Sequence, residues 1–317
     1  MIQDTPLRTS ILRQKQTALI SAQKPPPLSE NPHSTLDFSC HVRFHSSSSL
    51  TSVNSEEEAI RYLQKRNLLH NSRFCENGHS MSLSFGERIR WRCSLRTCRK
   101  EVGLRKGSWF ENSKLPLRVF IIFTYAWTKE YTTIKFSEEE LELSSHSVVD
   151  WKNFLREVCA ASLLGNPIKI GGPNTTVEID ESLFSKSKYN RGVPYPQKWV
   201  FGGICRETRE CFLYAVPNRT APVLLSCIKE NILPGSKIIS DEWKAYNQIP
   251  KIPGYFFDYE TVNHSKTFKD PITGAHTNNI EGLWSLAKRR NKKECGTSRE
   301  LIDSYLCENE VGKSATP

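Results

Sequence analysis

Three acids in this 317-residue chain stand where they could share one chemistry. Asp180 closes the strand-like run Thr175-Thr-Val-Glu-Ile-Asp180, and Asp241 closes Ser236-Lys-Ile-Ile-Ser-Asp241. Glu281 opens an amphipathic helical pattern just after His276-Thr-Asn-Asn279. Carboxylates are hard oxygen ligands of the kind Mg2+ or Mn2+ takes, and magnesium draws few of its ligands from protein. Two such ions about 3.5–4 Å apart serve the attacking oxygen, the leaving oxygen and the phosphate between them in phosphoryl transfer. Taken singly, an acid after a strand is an ordinary turn residue or helix cap. Taken together, two strand-end aspartates and a first-turn glutamate suit a two-ion site as well as they suit three separate caps.

A second set offers softer chemistry. Cys75 and His79 form one cluster and Cys93 and Cys98 another, with the strand-like Ile89-Arg-Trp-Arg-Cys93 between them. Four such ligands are what structural zinc takes in a tetrahedron. The spacings are wider than paired CxxC motifs, so buried thiols beside a surface histidine are the competing reading. Arg90, Arg92, Arg99 and Lys100 lie around this module as candidate phosphate contacts, and Trp91 reads as core. Residues 61–120 hold fourteen lysines and arginines against four acids, a surplus of ten that equals the net charge of the whole chain. A polyanionic partner or a solvated basic face accounts for it.

The elements that must position these groups follow from pattern. Residues 1–54, rich in Ser, Pro, Thr and Gln, read as a disordered leader, with acids that argue against a mitochondrial presequence. A domain at 55–110 combines a helix over 56–68, capped by Ser55, with the zinc-ribbon-like module. Residues 111–165 read as helical: Pro116 suits a first turn, and a helix is expected over about 147–164. Two or three short helices there would allow a helix-turn-helix. Residues 165–173 read as a linker.

From 175 onward strands take over: 177–180, Trp199–Cys205 paired with Cys211–Val216, then 237–241 and 259–263. Thr220 is expected to cap a helix ended by Pro234-Gly235, and Trp243–Tyr246 to begin a short one. Three strands, a helix, then alternating strands and helices is the order of a ribonuclease-H-like fold, an α/β core with a mixed five-stranded sheet. In the last helix Ile280, Leu283, Trp284 and Ala287 form the apolar stripe. Lys288 lies two turns after Glu281 on the same face, where a cation could hold a phosphate. Arg289 and Arg290 continue the basic run. His276 is a candidate metal or phosphate contact or a structural cap, and Asn278 or Asn279 is the natural cap. No run of 18 apolar residues occurs, so no membrane span is expected. With ten cysteines and no apolar leader, a reduced intracellular protein is expected.

Five blocks resemble the signature of Merlin-superfamily transposases, eukaryotic relatives of a bacterial insertion-sequence group. They are Val177-Glu-Ile-Asp-Glu-Ser182, Trp199-Val-Phe-Gly-Gly-Ile204, Ile239-Ser-Asp-Glu-Trp-Lys-Ala-Tyr246, Val262-Asn-His264 and His276-Thr-Asn-Asn-Ile-Glu-Gly-Leu-Trp-Ser285. Trp109-Phe-Glu-Asn-Ser-Lys-Leu-Pro116 resembles the stretch after the family's zinc ribbon. The resemblance implies a ribonuclease-H-like transposase domain over 174–306. Asp180, Asp241 and Glu281 would be its Asp-Asp-Glu triad, holding two Mg2+ or Mn2+ ions, with Lys288 the trailing basic residue. It implies a structural zinc at Cys75, His79, Cys93 and Cys98, DNA as partner (transposon ends and target), a homo-oligomer on DNA and a nuclear location. It also implies cleavage of a phosphodiester followed by strand transfer. The alternatives are a transposase-derived DNA-binding protein that no longer recombines, and a ribonuclease-H-like nuclease without strand transfer. Two departures stand out: His79 takes a place usually held by cysteine, and residues 307–317 turn into a polar tail where the family continues an aromatic, basic helix.

Overall fold

The computed structural model describes residues 53–184, 197–263, 276–293 and 301–314, and the expected leader falls almost wholly outside them. The described residues divide into two compact units, one ending at Lys152 and the other beginning at Asn153.

In the first unit, α1 (Glu56–Lys65) starts at a capping box: Ser55 accepts from the Glu58 N–H while the Glu58 carboxylate accepts from the Ser55 N–H. An antiparallel sheet follows, β1 (Arg73–Phe74), β2 (Ser80–Ser84), β3 (Arg90–Cys93) and β4 (Glu101–Gly103), in that spatial order. Its core is small: Cys75, Met81 and Trp91 are buried, with Leu83, Cys93, Cys98 and Val102 packed against them. Next comes α2 (Leu117–Thr128), with Pro116 at its N-cap rather than inside the first turn. The Glu56 carboxylate reaches back to the open N–H groups of Leu117 (2.8 Å) and Arg118 (3.0 Å). An aromatic cluster of Trp109, Phe110, Phe120 and Trp151 packs edge-on around α2. The acidic stretch after 134, given no element by its pattern, forms α3 (Ile134–Leu141), because Thr133 caps it and Glu142 closes it in the left-handed conformation. α4 spans Ser145–Gly165, and the division between the units falls inside it rather than at residues 165–173.

The second unit is built on a five-stranded sheet. The strands are β6 (Thr176–Leu183), β7 (Trp199–Cys205), β8 (Cys211–Val216), β10 (Lys237–Asp241) and β11 (Asp258–Val262), in the order β11-β10-β6-β7-β8. β7 pairs antiparallel with both β6 and β8, and β10 and β11 extend the sheet in parallel with β6. This is the ribonuclease-H-like arrangement. The expected linker instead contributes β5 (Ile170–Gly171), which pairs with β9 (Ile232–Leu233).

Helices cover both faces. On one, α5 (Ala221–Asn231) and the 3-10 turn Lys244–Lys251 pack on Val177, Ile179, Phe201 and Ile238. On the other, Ile280, Leu283, Trp284 and Ala287 of α6 (Asn278–Lys293) meet Val200, Ile204 and Leu213. β7 is buried along nearly its whole length because both its faces are covered.

The polar tail expected from 307 is corrected here. The chain continues as helix α7 (Ile302–Ser314), with Leu306, Cys307, Glu308 and Glu310 buried. β8 is a sheet edge, and the Glu310 carboxylate accepts from the Leu213 N–H on it at 2.9 Å. An acid that composition assigns to solvent is spent on covering a strand edge. Among the described residues no helix is long and apolar enough to cross a membrane.

Candidate functional site

Strand register brings the two aspartates to one place. Ile239 of β10 pairs with Glu178 of β6 in parallel. Two residues further along each strand are Asp241 and Asp180, on the same face of neighbouring strands, since side chains alternate with period two. Asp180 Oδ2 accepts from Trp284 Nε1 at 2.9 Å, and Trp284 lies on α6 one turn beyond Glu281. Gly202, opposite Asp180 in the β6–β7 pairing, makes that approach possible. A Cβ there would stand 2.8 Å from both the Trp284 ring and Leu213. Asp241 Oδ1 accepts from the Trp243 N–H at 3.0 Å.

Glu281 lies exposed in the first turn of α6, its N–H donating to the Thr277 carbonyl. The start of that helix is fixed by a residue that sequence reasoning missed. Glu178 is fully buried; its Oε2 accepts from the N–H groups of Asn279 (2.8 Å) and Ile280 (3.0 Å). Its Oε1 accepts from Asn279 Nδ2 (2.7 Å) and Arg206 Nε (2.6 Å). A buried charge is tolerated only when paired in this way, and at a helix N-terminus it also meets the helix dipole. Hence Asn278, which is exposed, and Asn279 do not cap α6 with their own side chains as expected; a strand carboxylate about a hundred residues away does. His276 belongs to the same knot, with Nδ1 3.5 Å from Glu178 and its carbonyl accepting from Arg206 Nη2 at 2.6 Å. The single sequence signal for Glu178 was an acid at a position where the strand pattern calls for an apolar residue.

Glu181, next to Asp180 but on the opposite face of β6, is the perturbed acid of this edge. Burial pushes it up to about 7; the charges of Asp180 and Asp241 add to this, while Tyr246 and Arg219 act the other way. The fully buried Tyr246 hydroxyl is pushed up as well, by burial first and then by Glu181. Among the described residues neither the Tyr246 hydroxyl nor Glu181 Oε1 finds a partner at hydrogen-bond geometry. Lys288 stands further along α6, its Nζ 5.9 Å from the Phe184 ring centre, and Phe184 meets Trp284 edge-on. Arg289 is exposed, and the Arg290 side chain lies outside the described residues.

The Cys/His set is gathered far more tightly. Among the described residues it is the one group of three or more metal-capable side chains whose ligand atoms all lie within 4.8 Å of one another; the acids Asp180, Asp241 and Glu281 form no such group. Cys75 Sγ is 3.6 Å from His79 Nδ1 and 3.8 Å from Cys98 Sγ. Zinc–sulfur bonds of about 2.3 Å imply a tetrahedron edge of about 3.8 Å, so these spacings fit a tetrahedral soft-metal site. Two turns build it: Gly78, with φ +75°, donates its N–H to the Cys75 carbonyl, and the Cys98 N–H donates to the Leu95 carbonyl. Cys98 is held below the usual thiol range by the Lys100 backbone N–H first, with Asn77 Nδ2, 3.4 Å from its sulfur, also lowering it.

The basic residues around this site have partners of their own. Arg90 and Arg92 both pair with Glu101 (2.6 and 2.9 Å), Lys100 lies 3.4 Å from Glu76, and Arg99 donates to the Arg96 carbonyl. These contacts are on the surface, where ion pairs exchange readily for other anions.

Residues 172–310 match the ISXO2-like transposase domain family. A transposase-like protein of Haemophilus influenzae is 30% identical over 103 residues, which cover 32% of this chain and 80% of that protein. Male abnormal protein mab-31 of Caenorhabditis elegans is 22% identical over 233 residues, 64% of this chain and 53% of that protein, so the chain spans about half of this relative's length. Among solved structures, the catalytic core domain of BIV integrase aligns with TM-score 0.31 at 14% identity, over 43% of this chain and 80% of that one. The HTLV-2 integrase catalytic core, solved in complex with magnesium, aligns with TM-score 0.28 at 11% identity, over 44% and 84%.

Proposed function

Because this chain belongs to the ISXO2-like transposase-domain family, we propose that it is a DNA transposase of the Asp-Asp-Glu type, cleaving phosphodiesters at transposon ends and joining them to a target. Asp180, Asp241 and Glu281 would hold two Mg2+ or Mn2+ ions, which when bound supply charge neutralisation at the reacting phosphate. The observation that carries this reading is the parallel register of β6 and β10, which sets Asp180, three residues inside the end of β6, beside Asp241 at the end of β10. α6, its start held by Glu178, carries Glu281 in its first turn. Water opens one phosphodiester to give a 3′-OH and a 5′-phosphate; the 3′-OH then attacks a target phosphodiester, displacing the target strand's 3′-oxygen, which takes up a proton and leaves as a 3′-OH. Lys288 and Arg289 follow Glu281 along α6 and would hold phosphates of the bound strand.

The Cys75, His79, Cys93 and Cys98 site takes structural Zn2+, and the basic surface around it, including Arg90, Arg92, Arg99 and Lys100, contributes sequence-independent DNA contact. Within the family, the signature blocks quoted above support a place in the Merlin superfamily. Bringing two ends together requires an oligomer on DNA, and DNA as substrate implies a nuclear location.

A second reading has its own support. With the three acids not gathered and Asp180 engaged by Trp284, the chain also suits a transposase-derived DNA-binding protein that no longer cuts.

The test is Mg2+- or Mn2+-dependent cleavage and joining of duplexes bearing the element's terminal repeats. Asp180→Ala and Asp241→Ala should each lower cleavage by at least ~1000-fold, the scale of several kcal/mol of lost charge stabilisation. DNA binding with no cleavage by the parent protein favours the second reading; cleavage without joined products identifies a nuclease.

A further inference from the structure

The acidic edge carries an aromatic feature that the proposed chemistry has not used. β7 is antiparallel to β6, so its first residue, Trp199, pairs with Leu183 near the end of β6, and on its other side with Val216 at the end of β8. Trp199, the Arg219 loop after β8 and Trp243 just after β10 therefore share the sheet edge at which Asp180 and Asp241 stand. The Arg219 guanidinium carbon lies 3.8 Å from the Trp199 ring centre and 4.6 Å from that of Trp243. Trp243 Nε1 donates to the Arg219 carbonyl at 3.3 Å, and the Trp243 N–H donates to Asp241 Oδ1. Trp243 is thus held at its backbone, its ring nitrogen and its ring face.

It is nonetheless 38% exposed and belongs to neither core of this unit. A rigidly held indole that contributes little to burial, two residues from a proposed metal ligand, has the properties of a stacking surface. Bases stack on such rings irrespective of sequence, and an arginine held against both rings adds cation–π attraction and positive potential for the attached phosphate. A base inside a duplex has both faces taken by its neighbours. An occupant drawn from within the duplex must therefore be released from the stack, and so from its pair.

We propose that Trp243, braced by Arg219 and Trp199, is a positioning residue that stacks an unpaired base of the bound DNA strand and thereby sets the adjoining phosphodiester at the Asp180–Asp241 edge. This rests on the transposase reading of that edge. The test uses the full-length protein and a terminal-repeat duplex with 2-aminopurine placed, in turn, at each position flanking the cleavage site. In the parent protein one position should stay quenched on binding, because the indole takes up the released base. Trp243→Ala should let that position brighten on binding and slow cleavage by about 10-fold or more, on the scale of one lost stacked base. Trp243→Phe should restore both quenching and cleavage, with unchanged melting temperature in all variants. Asp180→Ala should abolish cleavage yet keep the parent's fluorescence response. Equal fluorescence responses in the parent and Trp243→Ala overturn the stacking role while leaving the transposase reading intact. Cleavage that survives Asp180→Ala, with a response that still depends on Trp243, overturns the catalytic reading and keeps the stacking role.

Discussion

The two candidate metal sites differ in how far the polypeptide alone assembles them. Cys75, His79, Cys93 and Cys98 come from 24 residues and two tight turns, and their ligand atoms already lie within 4.8 Å of one another. Asp180, Asp241 and Glu281 come from two strands and a helix spread over about a hundred residues, and they are aligned but not gathered. Chemistry explains the contrast. Neutral thiols and imidazole can approach one another at little cost, whereas three carboxylates drawn together in a partly buried edge repel, and one or more must protonate or find a cation. The fold therefore spends its rigidity on the supports of the acidic site: paired strands, a helix start locked by Glu178, and an indole resting over Gly202. The final approach is left to ions and DNA.

This contrast can be broken in three places, taken from the largest expected effect to the smallest. The Cys/His module has a core of only a few residues, so it should depend on its metal outright. Structural zinc contributes roughly 10–16 kcal/mol of apparent binding energy in small modules. Chelation, or Cys98→Ser, should release about one zinc per chain and open residues 73–103 to protease while leaving residues 172–310 resistant. Mass spectrometry of the fragments reads the outcome, and a metal-free chain with an equally resistant module would show that the thiols pack without zinc.

Glu178→Ala comes next. It leaves Arg206 and two helix N–H groups buried without their acceptor, a loss on the order of 3–5 kcal/mol. Urea melts should register it, and cleavage should fall even though Glu178 touches no substrate, because the helix bearing Glu281 loses its anchor. An unchanged melt would mean that the Glu178 knot is not what fixes α6.

The smallest effect concerns Glu181. Its folded pKa, about 7, lies above the ordinary glutamate value, so the folded state holds the extra proton. In metal-free buffer stability should fall as pH rises from about 4.3 to about 7 and level off beyond. Glu181→Gln should flatten that slope and leave the protein more stable than the parent at pH 8. A variant with the parent's slope would trace the pH dependence to another group.

What the sequence made legible follows the same division. Alternation and turn residues located β7, β8 and β10 at their ends and the start of the helix after Thr220, which closes at Asn231 rather than at Pro234-Gly235 because Ile232–Leu233 pair as β9; from these elements came the fold class. The Cys/His ligands were readable because their turns are local. α3 was hidden because its acids carry no apolar stripe, and what makes it a helix is its caps. The last helix was misread because Glu308 and Glu310 look like solvent-exposed acids, and nothing local reveals that Glu310 meets the edge of β8. Glu178 was hidden for the same reason: a buried acid is interpretable only once its partners, about thirty and a hundred residues away, are known. Burial of polar groups is decided by tertiary partners, which single-sequence periodicity does not carry.

The central claim is that Asp180, Asp241 and Glu281 close around two divalent ions once DNA is present. Crystals of the protein with a terminal-repeat duplex and Mn2+, measured at the manganese edge, test it most directly. The account predicts two anomalous peaks about 3.5–4 Å apart, within bonding distance of carboxylate oxygens from all three residues, with Asp180 released from Trp284. Manganese bound elsewhere, or DNA bound with the acids still apart and Asp180 still held by Trp284, would contradict it.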